Sequence, residues 1–162
     1  MQERRSALGI CTYDGKIFAC GGYNGSNMLS SCEYYQPMTN EWKSLPNMNK
    51  ARSAVAVTVF ENHVWVLGGH DGLTIFNSVE KYDHESNRWC METSMLSKRC
   101  RHGAASMKGK LYVFGGYDGR EFLTSCEVMV LCSNNDILML KIKNLLLSFH
   151  NAIIFENASL NE

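Results

Sequence analysis

His63-Val64-Trp65-Val66-Leu67-Gly68-Gly69 is an apolar run of strand length that stops on two glycines. Glycine frees the backbone for positive φ and lets a neighbouring segment pass close, so a strand that reaches such a pair ends abruptly and turns. The same pair stands 47 residues upstream as Gly21-Gly22 and 47 residues downstream as Gly115-Gly116. Such an interval decides the fold, because a period of this length marks a repeat architecture.

Other positions keep the interval. Arg5, Arg52 and Arg99 do so, as do Ser31, Ser78 and Ser125, and Glu33, Glu80 and Glu127. Tyr35 pairs with Tyr82, Asn40 with Asn87, Trp42 with Trp89 and Met48 with Met95. Residues 5–51 laid on residues 52–98 without a gap give 12 identities in 47, concentrated in glycine, aromatic and charged positions.

Each unit holds four short apolar segments separated by turn chemistry, the pattern of a small antiparallel sheet repeated along the chain. In the second unit they are Ala54 to Phe60, His63 to Leu67, Ser78 to Tyr82 and Arg88 to Met91. Tyr13-Asp14-Gly15 and Glu61-Asn62 read as tight hairpin turns; Met38-Thr39-Asn40 and Glu85-Ser86-Asn87 read as the turn before the last strand. No segment inside the repeats has helical period. Tyr35, Tyr82, Trp42 and Trp89 are expected to pack between neighbouring sheets, each contributing about 1.5–3 kcal/mol of burial.

The double glycines, the Glu-x-Tyr triplets Glu33-Tyr34-Tyr35 and Glu80-Lys81-Tyr82, and Trp42 and Trp89 seven residues further on resemble the Kelch repeat. One repeat of that family is one four-stranded blade of a β-propeller. The loop Gly115 to Gly119 and the stretch Arg5 to Gly9 resemble more particularly the Kelch-like proteins, which carry BTB and BACK domains upstream. Within that group the run Lys98-Arg99-Cys100-Arg101-His102-Gly103-Ala104-Ala105 is most similar to one particular member. The expected fold is all-β, a partial Kelch propeller: blade 1 over 1–51, blade 2 over 52–98 and an incomplete blade 3 over 99–130. The third unit keeps Arg99, Gly115-Gly116, Ser125 and Glu127, but Asp136 stands where a tryptophan is expected.

Residues 131–162 form a divergent tail. Leu138, Ile142, Leu145, Phe149 and Ile153 recur at helical spacing and Asn135 or Asp136 can cap the start, which predicts an amphipathic helix. A closed propeller buries both faces of every blade, whereas this arc leaves two faces and several edges in water. Residues 1–130 alone are therefore expected to aggregate, oligomerise or melt at low temperature.

Sixteen Lys and Arg balance sixteen Asp and Glu, so no global basic field exists to hold a phosphate backbone, and no nucleic-acid partner is expected. Lys141 and Lys143 break the longest apolar stretch, and the N-terminal Met1-Gln2-Glu3-Arg4-Arg5 lacks the apolar core of a signal peptide. A cytoplasmic chain without a membrane partner is expected. The seven cysteines are odd in number and contain no C-x-x-C spacing, which supports neither a disulfide framework nor a zinc site.

The five histidines form no ligand cluster, the glycine loops lack a following Lys-Ser/Thr, and no Gly-x-Ser-x-Gly elbow occurs. No cofactor and no enzymatic activity are expected. The Kelch-like resemblance instead implies partner contacts on one face, at the lead-in to each first strand and in the loop after each double glycine. Carried onto this chain, those positions are Ser6, Ala7, Tyr23 and Met28; Ser53, Ala54, His70 and Ile75; and Cys100, Arg101, Tyr117 and Phe122. The basic neighbours of Cys100 favour a thiolate, which marks it as a candidate oxidisable cysteine, with a plain solvated basic loop as the alternative reading.

By resemblance, the partner is a protein substrate of a ubiquitin ligase, with Cullin-3 recruited only through BTB and BACK domains absent from this sequence. A cytoskeletal Kelch protein that binds actin is the second reading, and a truncated product without function the third.

Overall fold

The computed structural model describes residues 1–132 and 136–142. Among the described residues twelve strands form three four-stranded antiparallel sheets, each a meander in chain order. Sheet 1 contains β1 (Gly9–Tyr13), β2 (Lys16–Cys20), β3 (Cys32–Gln36) and β4 (Glu41–Leu45). Sheet 2 contains β5 (Ala56–Phe60), β6 (His63–Leu67), β7 (Val79–Asp83) and β8 (Arg88–Glu92). Sheet 3 contains β9 (Gly103–Met107), β10 (Lys110–Phe114), β11 (Cys126–Leu131) and β12 (Ile137–Ile142). The first strands of successive sheets pack side by side, β1 against β5 and β5 against β9, so the sheets stand like blades around one edge. Among the described residues no helix is long and apolar enough to cross a membrane.

The first hairpin of each sheet turns through two residues at positive φ: Asp14 and Gly15 (50° and 67°), Glu61 and Asn62 (46° and 57°), Lys108 and Gly109 (48° and 65°). Two left-handed residues match the twist of the flanking strands, which fixes the register of the whole meander. The second hairpins of sheets 1 and 2 close on Asn40 and Asn87, also left-handed. The hydroxyls of Tyr35 and Tyr82 donate to the Asn40 and Asn87 side-chain oxygens at 2.8 and 2.6 Å, which explains why tyrosine and asparagine keep the same interval.

Two apolar layers lie between the sheets. Phe18, Cys20, Cys32 and Met48 meet Val55, Val57, Val64, Val66, Tyr82 and Trp89. Phe60, Trp65, Leu67, Val79 and Met95 meet Leu111, Val113, Met129 and Met139. Tyr82 and Trp89 thus pack between sheets as expected, whereas Tyr35 and Trp42 lie half-buried on the outer face of sheet 1.

Through each sheet runs a buried ion pair. In sheet 2 the Arg52 guanidinium bonds the Glu80 carboxylate at 2.9 and 3.1 Å, the Gly68 carbonyl at 2.7 Å, the Ser78 carbonyl at 2.9 Å and the Ser78 hydroxyl at 2.9 Å. Glu80 also accepts the Asn49 and Lys50 backbone amides at 2.7 and 3.2 Å. Arg5 with Glu33 and Arg99 with Glu127 repeat this pattern. The Arg52 backbone faces the other way: its carbonyl accepts the Gly22 amide at 2.7 Å and its amide donates to Leu29 at 2.9 Å. Arg99 does the same with Gly69 and Phe76. A Cβ on Gly21 would lie 2.4 Å from the Arg52 carbonyl oxygen, and one on Gly68 2.3 Å from that of Arg99, so close approach as well as φ requires glycine there.

The third blade is not incomplete, and residues 137–142 are not helical. Cys126–Leu131 presents an edge of unpaired backbone groups, and β12 satisfies it in antiparallel register from Cys126↔Ile142 to Leu131↔Ile137. Inward Met139 alternates with exposed Leu138 and Leu140, the period of a strand. Met139 lies opposite Met129, in the place that Trp42 and Trp89 hold opposite Tyr35 and Tyr82. The remainder of the expected helix, 143–162 with the capping Asn135, lies outside the described residues.

Removing one partner of a buried ion pair strands the other charge. Glu80→Leu should cost about 3–5 kcal/mol in urea unfolding. The double change Arg52→Leu with Glu80→Leu should recover little, because the Gly68 and Ser78 carbonyls and the Asn49 and Lys50 amides stay unpaired. Glu41→Leu, which removes the exposed pair with Lys43, should change stability by less than about 1 kcal/mol.

Candidate protein-binding face

Because every sheet is an up-and-down meander, its hairpin turns gather at one end and the double-glycine loops at the other. At the loop end the structure brings all twelve expected residues together in three identical sets. Ser6 bridges Tyr23 and Tyr23 bridges Met28; Ser53 bridges His70 and His70 bridges Ile75; Cys100 bridges Tyr117 and Tyr117 bridges Phe122. Ala7, Ala54 and Arg101 follow the first member of each set in the left-handed conformation, at φ 49°, 52° and 56°. Their backbones link the blades in series: Ala54 donates to the Ala7 carbonyl and Arg101 to the Ala54 carbonyl, both at 2.8 Å.

Each loop is a rigid frame. Asn24 Oδ1 accepts the Ser26 and Asn27 amides, Asp71 Oδ1 those of Leu73 and Thr74, and Asp118 Oδ1 those of Arg120 and Glu121. These backbone donors hold the Asp71 and Asp118 carboxyls below the usual aspartate range. Gly25, Gly72 and Gly119 follow at φ 101°, 100° and 105°. Neighbouring loops touch, since a Cβ on Gly72 would meet Met28 Cε at 3.7 Å and one on Gly119 would meet Ile75 Cδ1 at 3.5 Å.

The tips differ between the loops, as do the bridging residues Tyr23, His70 and Tyr117 and their partners Met28, Ile75 and Phe122. The tips are Ser26-Asn27, Leu73-Thr74 and Arg120-Glu121, all exposed, with Leu73 98% and Phe122 79% accessible. Tyr23, Met28, His70, Ile75 and Tyr117 are half-buried, Ser6, Ala7 and Arg101 exposed and Ala54 half-buried. Ser53 and Cys100 are buried, at 2% and 4%, so their side chains do not reach the surface. Leu73 and Arg120 escaped the sequence reading; the signal for them is the residue directly after the third glycine of each loop.

The surroundings of Cys100 disfavour a thiolate. Its Sγ lies 3.5 Å from the Tyr117 carbonyl, and burial raises the thiol above its ordinary value against a smaller opposing effect of Arg101. The Arg99 charge is consumed by Glu127. Next to it, His102 is buried with both ring nitrogens unpartnered among the described residues. Burial, then the Arg99 charge, push this imidazole from 6.5 down to about 4.

Residues 4–49, 51–96 and 98–135 match the Kelch motif, and the chain belongs to the Kelch-repeat family. Among curated relatives, the Influenza virus NS1A-binding protein of Homo sapiens is 44% identical over 48 residues, covering 30% of this chain and 8% of that protein. Kelch-like protein 26 of Danio rerio is 40% identical over 50 residues, covering 31% of this chain and 8% of its own length. The matched segment is thus a small part of each relative. The solved structure of YjhT superposes with a TM-score of 0.78 at 11% identity, over 87% of this chain and 52% of that one, a likeness of fold. These relatives give no support to the finer resemblance of residues 98–105 to Kelch-like protein 18.

Two outcomes test this end of the molecule. At neutral pH Cys100 should alkylate at least about tenfold more slowly than a free peptide thiol, followed by mass spectrometry across a pH series. For His102, the unfolded chain binds a proton between pH 6.5 and about 4 that the folded chain refuses. Its stability contribution is therefore full above pH 6.5 and falls on acidification, by about 3 kcal/mol at pH 4. Urea midpoints across that window should flatten in His102→Gln.

Proposed function

We propose that this chain is a non-enzymatic protein-binding module whose contact surface is the loop end, with Leu73, Arg101, Arg120, Tyr117 and Phe122 as its principal anchors. The observation that carries the reading is the contrast within the loops: each frame places two backbone amides on the Asn24, Asp71 or Asp118 side-chain oxygen, while the exposed tips change from Ser26 to Leu73 to Arg120. A rigid scaffold with variable tips is how loops present recognition residues. The Tyr117 and Phe122 rings meet at 5.3 Å between centroids, tilted by 47°, and aromatic and arginine side chains supply contact area and forked donors of the kind that anchor interfaces.

At the level of the whole protein, we infer substrate recognition for a Cullin-3 ubiquitin ligase in the cytoplasm, by the Kelch-like resemblance and the partial match to Kelch-like protein 26. Actin binding is the second reading. Co-precipitation of the full-length protein with Cullin-3, set against co-sedimentation with actin filaments, separates the two.

Phe122→Asp and Leu73→Asp should each weaken capture of the protein partner by about tenfold or more in a pull-down titration, with thermal stability unchanged because both side chains are exposed. Lys108→Glu, in a hairpin turn at the other end, should leave capture unaltered. Equal binding by all three variants would refute the assignment of this face.

A further inference from the structure

We infer that Cys20 and Cys32 form one redox site, two thiols placed to join as a disulfide across the second and third strands of sheet 1. Their register carries the inference. Cys20 ends β2, Cys32 begins β3, and the two stand directly opposite each other. Just beyond them the Gly21 amide donates to the Ser31 carbonyl at 3.1 Å, which makes theirs a non-hydrogen-bonded pair, the kind whose opposite Cα atoms lie about 4.5 Å apart. A disulfide spans that separation. Both side chains point into the layer between sheets 1 and 2, at 0% and 2% exposure.

Arg5 fixes the pair from a third direction. Its guanidinium donates to the Gly21 and Ser31 carbonyls, both at 2.8 Å, so the residue after Cys20 and the residue before Cys32 are held together. A hydrogen bond to Cys32, then burial, raises the Cys20 thiol well above its ordinary value. The pair thus rests as a neutral dithiol, the state in which the structure holds it.

The other buried cysteines show what the register selects. Cys11 borders the same apolar layer, but it stands opposite Phe18, and Cys20 is only its diagonal neighbour. Diagonal Cα atoms lie about 7–8 Å apart, beyond the span of an unstrained disulfide. Cys126 holds in sheet 3 the place of Cys32, buried at 4%, yet Phe114 faces it. In sheet 2 the same two places hold Leu67 and Val79.

The oxidant is a small disulfide of the glutathione type. One cysteine, as thiolate, attacks it and releases one reduced glutathione; the second cysteine then displaces the other. Two electrons and two protons leave the pair, and one glutathione disulfide becomes two reduced glutathiones. Because both thiols are buried, exchange takes place while this strand pair is open. The closed disulfide joins, at its base, the exit and return of the loop that carries Tyr23 and Met28.

Equilibration of the 162-residue chain in glutathione buffers of graded poise tests this, both from the folded dithiol and by refolding out of urea. Acid quenching, alkylation and peptide mapping read the products. The expected product, by either route, is a Cys20–Cys32 link lighter by two hydrogens, with Cys126 alkylated as a free thiol and no link from Cys11. It should form at a proportion of glutathione disulfide at least about tenfold lower than the same pair requires in urea, because the folded sheet holds the two sulfurs together. Cys126→Ala should leave the link unchanged. A pair that stays reduced by both routes, a pair that needs the same proportion folded and in urea, or preferential linking through Cys11 or Cys126 overturns the inference.

Discussion

Sheets 2 and 3 each depend on an arginine that serves two sheets at once. The guanidinium of Arg52 is buried in its own sheet, while its backbone amide and carbonyl close the junction to the sheet before. Burying that charge is costly, and burial lowers the Arg52 pKa while Glu80 opposes the shift. Complete pairing makes the arrangement tenable: five donors converge on the Glu80 carboxylate, and every direction of the guanidinium fork meets an acceptor. The side chain thereby sets where the lead-in segment runs, and the lead-in sets the distance between sheets.

That constraint explains the double glycine. The arginine carbonyl of one sheet comes so near the glycine pair of the sheet before that no side chain fits. The loop emerging from the pair then starts from a fixed position and direction, and the Asn24, Asp71 or Asp118 side chain completes its frame. The differences between the loops fall on residues the frame does not use. Leu73, Arg120 and Phe122 are free to differ from their counterparts because no backbone group depends on them.

Much of this was legible in the sequence because glycine, arginine, glutamate, tyrosine and asparagine each answer a backbone or buried-charge demand that recurs every 47 residues. The fourth strand of the third blade was not. Its inward residue is set by pairing with Met129, and a connection three residues longer than that between Tyr82 and Trp89 moves it to Met139. A methionine fills the same space as tryptophan there without announcing itself. The loop positions were readable from the glycines, but the burial of Ser53 and Cys100 was not, since it depends on the neighbouring strands. Cys100 shows the limit of local charge: Arg99 beside it in sequence is spent on Glu127, and desolvation outweighs Arg101.

Hydrogen exchange of the backbone amides tests the central role of the arginine joint most directly. The Arg52, Arg99, Gly22 and Gly69 amides, which lie in loops, should be protected to the same free energy as the Val64 and Val66 amides in the middle of sheet 2, and should exchange only as the whole arc opens. Exchange at these four sites far faster than in β6, with the strands still protected, would mean that the blades hold together by their apolar layers alone and that the account is wrong.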